Sequence, residues 1–215
     1  MLTVLCGVCV CVCYRKRENG LVQSIYRFVA PADLRGTTTL TLEQKEGDDL
    51  QWMYIPALKK LRRIASVDKG KSWAGTDFCY EDLREKKLND YEYSALDSQP
   101  VDGRDCYHYF MTPTGAGRSP YSKVEYWVRK DLVELIKGKY YDKNGRWFKE
   151  MNMTDLRPIQ DAKKNREIWS AMHMEMINLD EKHRTDLFMH RIVYNSGVPD
   201  QVFSPQGIEN VPESF

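Results

Sequence analysis

Apolar and polar residues alternate in short runs from the start of the chain to about Tyr194, and turn-forming residues interrupt the runs at short intervals. A period of two sends successive side chains to opposite faces of a strand, and such frequent punctuation favours hairpins over βαβ units. The punctuation is Glu18-Asn19-Gly20, Glu46-Gly47-Asp48-Asp49, Asp102-Gly103, Thr114-Gly115-Ala116-Gly117, Asp142-Lys143-Asn144-Gly145 and Asp180-Glu181-Lys182, residues that tolerate positive φ or turn easily. The runs between them predict strands over Val4–Arg17, Leu21–Val29, Arg35–Gln44, Leu50–Ile55, Lys60–Ser66, Lys87–Leu96, Arg104–Thr112, Ser122–Lys130, Leu132–Tyr141, Arg146–Asp155, Ile168–Asn178 and His183–Tyr194. About a dozen strands in one sheet must curl or close. One short helix is predicted over Phe78–Lys86, with Asp77 as N-cap and Glu81 and Asp82 near the positive end of its dipole. The fold class is therefore mainly β (α+β). The tail from Val198 onward, with Pro199, Pro205 and Pro212, reads as a turn-rich wrap.

Composition narrows the functions available. The chain of 215 residues can bury a core without disulfide or metal support. Its 32 Lys and Arg nearly cancel its 31 Asp and Glu, so no global field draws it to nucleic acid, and any basic surface is local. Lys59, Lys60, Arg62 and Arg63 are that local surface. They fit an anionic partner or a solvated rim, with Trp52 and Tyr54 either stacking platforms or the inner face of a strand.

The N-terminal run LTVLCGVCVCVCY, Leu2 to Tyr14, is too short to span a membrane as a helix. Its positive charges, Arg15 to Arg17, follow the apolar stretch instead of preceding it, so no complete signal peptide is visible. Alternation puts Cys9, Cys11 and Cys13 on one strand face, a poor tetrahedral set without further ligands. Cys79 and Cys106 are left as thiols or a pair, undecided by sequence.

Catalytic spacing is missing. His108, His173, His183 and His190 form no compact ligand motif, no GxSxG occurs, and Gly115 to Ser119 lacks the Lys of a phosphate loop. Asp77, Glu81 and Asp82 fit an acid-base cluster or a helix start, and the hydrolase reading needs them to face a pocket. Met172, Met174 and Met176 share one strand face, as do Met151 and Met153. Flexible thioethers fill a core or line a cavity for irregular apolar ligands, here with Trp127, Trp147, Phe148 and Trp169 nearby in the pattern.

Several blocks carry a resemblance: RFVAPADLRGT (Arg27 to Thr37), QWMYIPALKKLRRI (Gln51 to Ile64), GTDFCYEDL (Gly75 to Leu83), KVEYWVR (Lys123 to Arg129), YDKNG (Tyr141 to Gly145) and HRTDLFMHRIVYNSGVPDQVFS (His183 to Ser204). They resemble the outer-membrane lipoprotein-sorting family, relatives of the periplasmic lipoprotein carrier LolA. The resemblance implies a curved, unclosed antiparallel β-barrel with short helices forming a lid over an apolar cavity, built from residues 21–215 as a single domain. It implies a non-catalytic carrier in a Gram-negative periplasm, without cofactor, that binds a lipid or lipoprotein acyl chains for sorting to the outer membrane. An inner-membrane exporter of the resistance-nodulation-division type is an expected partner, and nucleic acid is not. A nucleic-acid-binding β-barrel using Lys59 to Arg63 is the alternative.

By position, the resemblance makes Trp52, Tyr54 and Ile55 candidates for the wall, and Trp73, Phe78 and Tyr80 candidates for the lid or mouth. With Met151, Met153, Met172, Met174 and Met176 they form the expected acyl-binding set. Lys59, Lys60, Arg62 and Arg63 become candidates for head-group or partner contact. Family members normally begin with a signal peptide and a helix ahead of the first strand, where this chain has its Cys/Val run. Segment 1–20 is therefore expected to be atypical, a truncated or mis-started N-terminus.

Overall fold

The computed structural model describes residues 10–115, 119–161 and 163–213. The predicted strand start at Val4, Cys6, Cys9 and the Ala116 to Arg118 part of the glycine-rich turn lie outside them. Among the described residues twelve strands are present: β1 (Val10–Glu18), β2 (Leu21–Ala30), β3 (Thr38–Leu42), β4 (Leu50–Ile55), β5 (Lys60–Ile64), β6 (Tyr91–Leu96), β7 (Cys106–Pro113), β8 (Lys123–Arg129), β9 (Glu134–Tyr141), β10 (Trp147–Asp161), β11 (Arg166–Asn178) and β12 (His183–Phe188). All pair antiparallel, each with its chain neighbour, in two open sheets of order β1-β2-β3-β4-β5 and β12-β11-β10-β9-β8-β7-β6. The architecture is thus mainly β, antiparallel and unclosed. The turns follow the expected chemistry: Asn19-Gly20 and Asp102-Gly103 both hold paired positive φ values, as type I′ turns require.

Two expectations are corrected. The strands do not form one sheet, because the long stretch between β5 and β6 contains no strand and breaks the ladder. Phe78–Lys86 is not a helix. Asp77 spends its carboxylate on His183 and Thr185 instead of capping, and Cys79 bridges back to Ser72 as a strand would. Among the described residues the helical elements are five three-residue 3-10 turns, so no lid of short α-helices is present there.

The described residues fall into two compact units, one of 10–69, Tyr80–Glu85 and 196–213, the other of Gly70–Cys79 and Lys86–Asn195. In the first, the five-stranded sheet presents Tyr14, Ile25, Leu40 and Tyr54 to the C-terminal tail, which buries Val202, Phe203, Ile208 and Val211 against them. Tyr14 donates its hydroxyl to the Pro212 carbonyl at 3.0 Å, and Arg35 pairs with Glu213 at 2.7 Å, fastening the tail. Beside this core Arg84 joins Asp49 and Glu81 at 2.7 Å each, all with side chains buried.

In the second unit the seven-stranded sheet is a meander whose register sets its two faces. The rows Tyr93–Met111–Val124–Tyr140–Lys149 and Tyr109–Tyr126–Gly138–Met151–Met176–Thr185 share one face by pairing. The opposite face carries His108, Glu125, Trp127 and, toward β12, an ion-pair ladder in which Arg184 meets Glu175 and Asp186.

Candidate functional site

The apolar face of the seven-stranded sheet is a continuous row of large side chains. Tyr93 lies 6.1 Å from Tyr109, Tyr109 6.1 Å from Tyr126, and Tyr126 6.3 Å from Tyr140, measured between ring centroids. Tyr140 then reaches Met151, its hydroxyl 3.5 Å from the thioether sulfur, and Met151 stands opposite Met176. Gly138 makes this row possible. A Cβ there would lie 2.9 Å from the Tyr126 ring and 3.3 Å from that of Tyr140, so only glycine lets the two rings lie over the backbone.

Burial along the row is graded. Tyr126, Tyr140, Met151 and Met176 are buried, whereas Tyr93 is 43% and Tyr107 53% exposed. At that open end Tyr93, Ala95, Leu96, Ser98, Tyr107, His108, Tyr109 and Val128 line a groove of about 480 Å³, within the size range of small-ligand clefts. Partial burial holds its phenols protonated: the Tyr109 pKa is pushed up to about 12, and that of Tyr93 is also raised, burial being the leading cause in both.

The covered end is held by a hairpin. Ser72 bridges Cys79, the Trp73 amide donates to the Phe78 carbonyl at 2.8 Å, and Ala74 and Gly75 turn the chain at φ 50° and 80°. Asp77 fixes it to the sheet. Its carboxylate takes hydrogen bonds from His183 Nδ1 at 2.6 Å and the Thr185 hydroxyl at 2.7 Å, while Lys149 donates to its carbonyl at 2.7 Å. The Cys79 sulfur lies 3.2 Å from the Tyr121 hydroxyl oxygen, and Tyr121 packs on Tyr140 with ring centroids 4.9 Å apart.

On the far face Glu125 receives the Tyr141 hydroxyl at 2.6 Å and faces His108 Nε2 at 2.7 Å, and His108 stacks on Trp127. Burial, then the bond to the Glu125 carboxylate, push the Tyr141 pKa well up. The His108 ring is thus held on the far face between Glu125 and Trp127.

The residues singled out by sequence fall in both units. Trp73, Phe78, Met151, Met172 and Met176 are buried in the second unit, with Met153 and Met174 half-buried. Met151 opposes Met176 and Met153 opposes Met174, so four of the five methionines adjoin on the apolar face. Tyr54 lies in the tail-covered core of the first unit, with Trp52 packed against it. Ile55 ends β4, and Tyr80 is buried with its hydroxyl 3.5 Å from the Met53 sulfur. Lys60, Arg62 and Arg63 are exposed along edge strand β5 and Lys59 is exposed just before it, Arg62 pairing with Asp68 at 3.3 Å.

Of the three candidate acids, Asp77 serves the hairpin and Glu81 serves Arg84, and none lines the groove. Among the described residues no cluster of His, Cys, Asp and Glu has a metal-holding arrangement. Cys79 and Cys106 are thiols. The groove tyrosines and the fastening residues His183, Thr185 and Lys149 were not singled out by sequence. The alternation of Tyr107 with Tyr109 and of Tyr91 with Tyr93 was the available signal for the first group; no local signal existed for the second.

Comparison with known proteins completes the picture. A family model described only as that of an uncharacterized protein matches residues 20–210. None of the curated proteins matches the chain. Among solved structures, a domain from Vibrio parahaemolyticus described as an outer membrane lipoprotein-sorting protein is similar at 26% identity and TM-score 0.86, covering 94% of this chain and 83% of its own. A DUF1329 family protein from Desulfovibrio piger is similar at 29% identity and TM-score 0.85, covering 91% and 82%. A LolA superfamily protein from Nitrosomonas europaea shares the fold at 19% identity and TM-score 0.58, covering 85% and 76%. The unclosed antiparallel sheets and the match along most of the sequence lead to one conclusion: the chain belongs to a LolA-like family, the one whose model matches residues 20–210.

Proposed function

We propose that this protein is a non-catalytic periplasmic carrier that holds a lipid, or the acyl chains of a lipoprotein, on the apolar face of its seven-stranded sheet. The observation that carries the reading is the unbroken row from Tyr93 to Met176, open at one end as a groove and covered at the other. Each methylene removed from water contributes about 0.8 kcal/mol, so a dry aromatic and thioether surface binds a chain without any covalent chemistry. Methionines suit such a task because their side chains re-pack around chains of differing shape.

In this reading Met151, Met153, Met172, Met174 and Met176 meet the deeper methylenes, and Trp73 and Phe78 belong to the cover. Trp52, Tyr54, Ile55 and Tyr80 belong to the other unit, where contact with the tail favours packing for Trp52 and Tyr54. Lys59, Lys60, Arg62 and Arg63 offer an exposed cationic edge to an anionic head group or a protein partner, an exporter of the resistance-nodulation-division type being the partner proposed. Nucleic acid on the same edge is the rival occupant, and it predicts affinity that falls steeply with salt.

The test is native mass spectrometry of the exported protein, followed by solvent extraction and lipid analysis. A stoichiometric lipid, lost in Tyr109→Asp and Phe78→Asp while Arg62→Ala spares folding, supports the carrier. An apo mass together with no uptake of a fluorescent fatty acid defeats it.

A further inference from the structure

Each sheet has two edge strands, and the chain treats their charges differently. On β1, Arg15 and Arg17 both pair with Glu85, and Lys16 pairs with Glu18 and Asp200. On β12, Arg184 pairs with Glu175 at 3.1 Å and Asp186 at 2.9 Å. Edge strand β6 carries Glu92 as its one charged residue. β5 is the exception. With Lys59 just before it, this edge presents four cations, and among the described residues only Arg62 has an ion pair, with Asp68 at 3.3 Å.

An edge strand shows solvent a row of unpaired backbone N–H and C=O groups, and like charges along it keep a second copy of the same strand away. That device needs no apolar side chain. Yet Leu61 is 42% exposed within the strand and Leu58 59% in the turn that leads into it. Register sorts the side chains by face: Lys60 pairs with Ile55 and Arg62 with Met53 on one, Leu61 with Tyr54 and Arg63 with Trp52 on the other. The edge therefore offers backbone hydrogen bonds, two cations on one side, and a leucine beside an arginine on the other. It repels its own kind and fits a strand of opposite charge.

Resting on the carrier reading for the partner's role, we propose that β5 is a docking strand whose occupant is an extended segment of a partner protein, acidic at alternate positions and apolar between them, which adds to the five-stranded sheet. Main-chain hydrogen bonds hold such a segment and its alternate side chains select it. Carboxylates stand opposite Lys60 and Arg62, where the partner's acid takes the place of Asp68, and an apolar residue stands opposite Leu61. A lipid head group or a nucleic acid would meet the same cations without using the backbone.

The test is made on the full chain with a short fluorescein-labelled peptide in which glutamates alternate with valines. Its controls carry glutamine for glutamate, or N-methyl groups at the valines or at the glutamates. The acidic peptide is expected to bind, more weakly as salt rises, and to slow hydrogen exchange of the β5 amides by about tenfold. Glutamine for glutamate, Lys60→Glu with Arg62→Glu in the protein, and the N-methyl pattern that faces β5 should each lower affinity by about tenfold. Unaltered exchange in β5, or equal binding of the parent peptide and both N-methyl analogues, overturns the proposal. Tighter binding of phosphatidylglycerol vesicles or single-stranded DNA, lost in the charge-reversed variant, overturns it too and assigns the edge to that ligand. If the charge-reversed variant does not fold, the peptide series on the wild type decides alone. Uptake of a fluorescent fatty acid without peptide binding defeats the docking strand and spares the carrier reading; peptide binding without uptake supports the strand and defeats the carrier reading.

Discussion

The five-stranded sheet covers its apolar face with the chain's own C-terminal tail, whereas the seven-stranded sheet carries a hairpin at one end of its face and leaves the other as a groove. Both faces use the same residue types, Tyr with Ile, Leu or Met. What differs is the cover. Val202, Phe203, Ile208 and Val211 are apolar side chains driven from water, and opening that core would expose all of them at about 25 cal/mol per Å². The hairpin buries Trp73 and Phe78 and adds hydrogen bonds from His183, Thr185 and Lys149, each of modest net worth because water replaces it. Side-chain composition alone therefore does not distinguish a core from a binding face; how much of the face is covered does.

The largest expected effects are on the sealed side. Ile25→Ala, at a position with no exposure, is expected to cost about 2–5 kcal/mol of stability. Arg84→Ala takes the shared guanidinium from two buried carboxylates and is expected to cost about 3–5 kcal/mol. Urea denaturation measures both. Molecules that remain folded should bind a fluorescent fatty acid as the wild type does, and a parallel loss of binding would break the division between the two faces.

Gly138→Val comes next. The added carbons meet the Tyr126 and Tyr140 rings at sub-van-der-Waals distance, and overpacking of this kind costs about 1–3 kcal/mol. Because those rings are the middle of the row, the same substitution is expected to weaken fatty-acid binding, read in a titration of the folded variant.

The strand content was legible because half-buried antiparallel strands alternate, and most of the twelve strands coincide with the runs that predict them. The methionine faces were legible for the same reason. The helix over Phe78–Lys86 misled because Asp77 followed by Glu81 and Asp82 has the local chemistry of a helix start, and the competing partners, His183 and Thr185, lie more than a hundred residues away. The break between two sheets was equally hidden: alternation fixes strands and faces, while the partner of an edge strand is set by what the long intervening segment does. The tyrosine row needed register, which turns one-strand patterns into neighbours.

Tyr107→Asp separates stability from binding more finely. Its ring is half exposed, so stability should move by no more than about 0.5 kcal/mol, yet a carboxylate placed in the groove wall should repel a fatty-acid probe and lower its affinity severalfold.

The smallest effect concerns the proton of Tyr109. In the unfolded chain this phenol ionises at about 10, while in the groove burial pushes it up to about 12. A group with a raised folded-state pKa contributes stability that is complete below the unfolded value and is lost as pH rises through the folded one. Stability should therefore decline between about pH 10 and about 12, and Tyr109→Phe, which has no proton to lose, should shallow that decline without abolishing it, since Tyr93 is raised by burial too. Acyl-chain occupancy should steepen the wild-type decline, because a filled groove keeps water from the phenolate and holds the proton more tightly. Denaturation curves across that window, with and without fatty acid, test this. A slope that occupancy leaves unchanged would place the chain elsewhere than against Tyr109, and would remove the groove from the contrast between an open face and a sealed one.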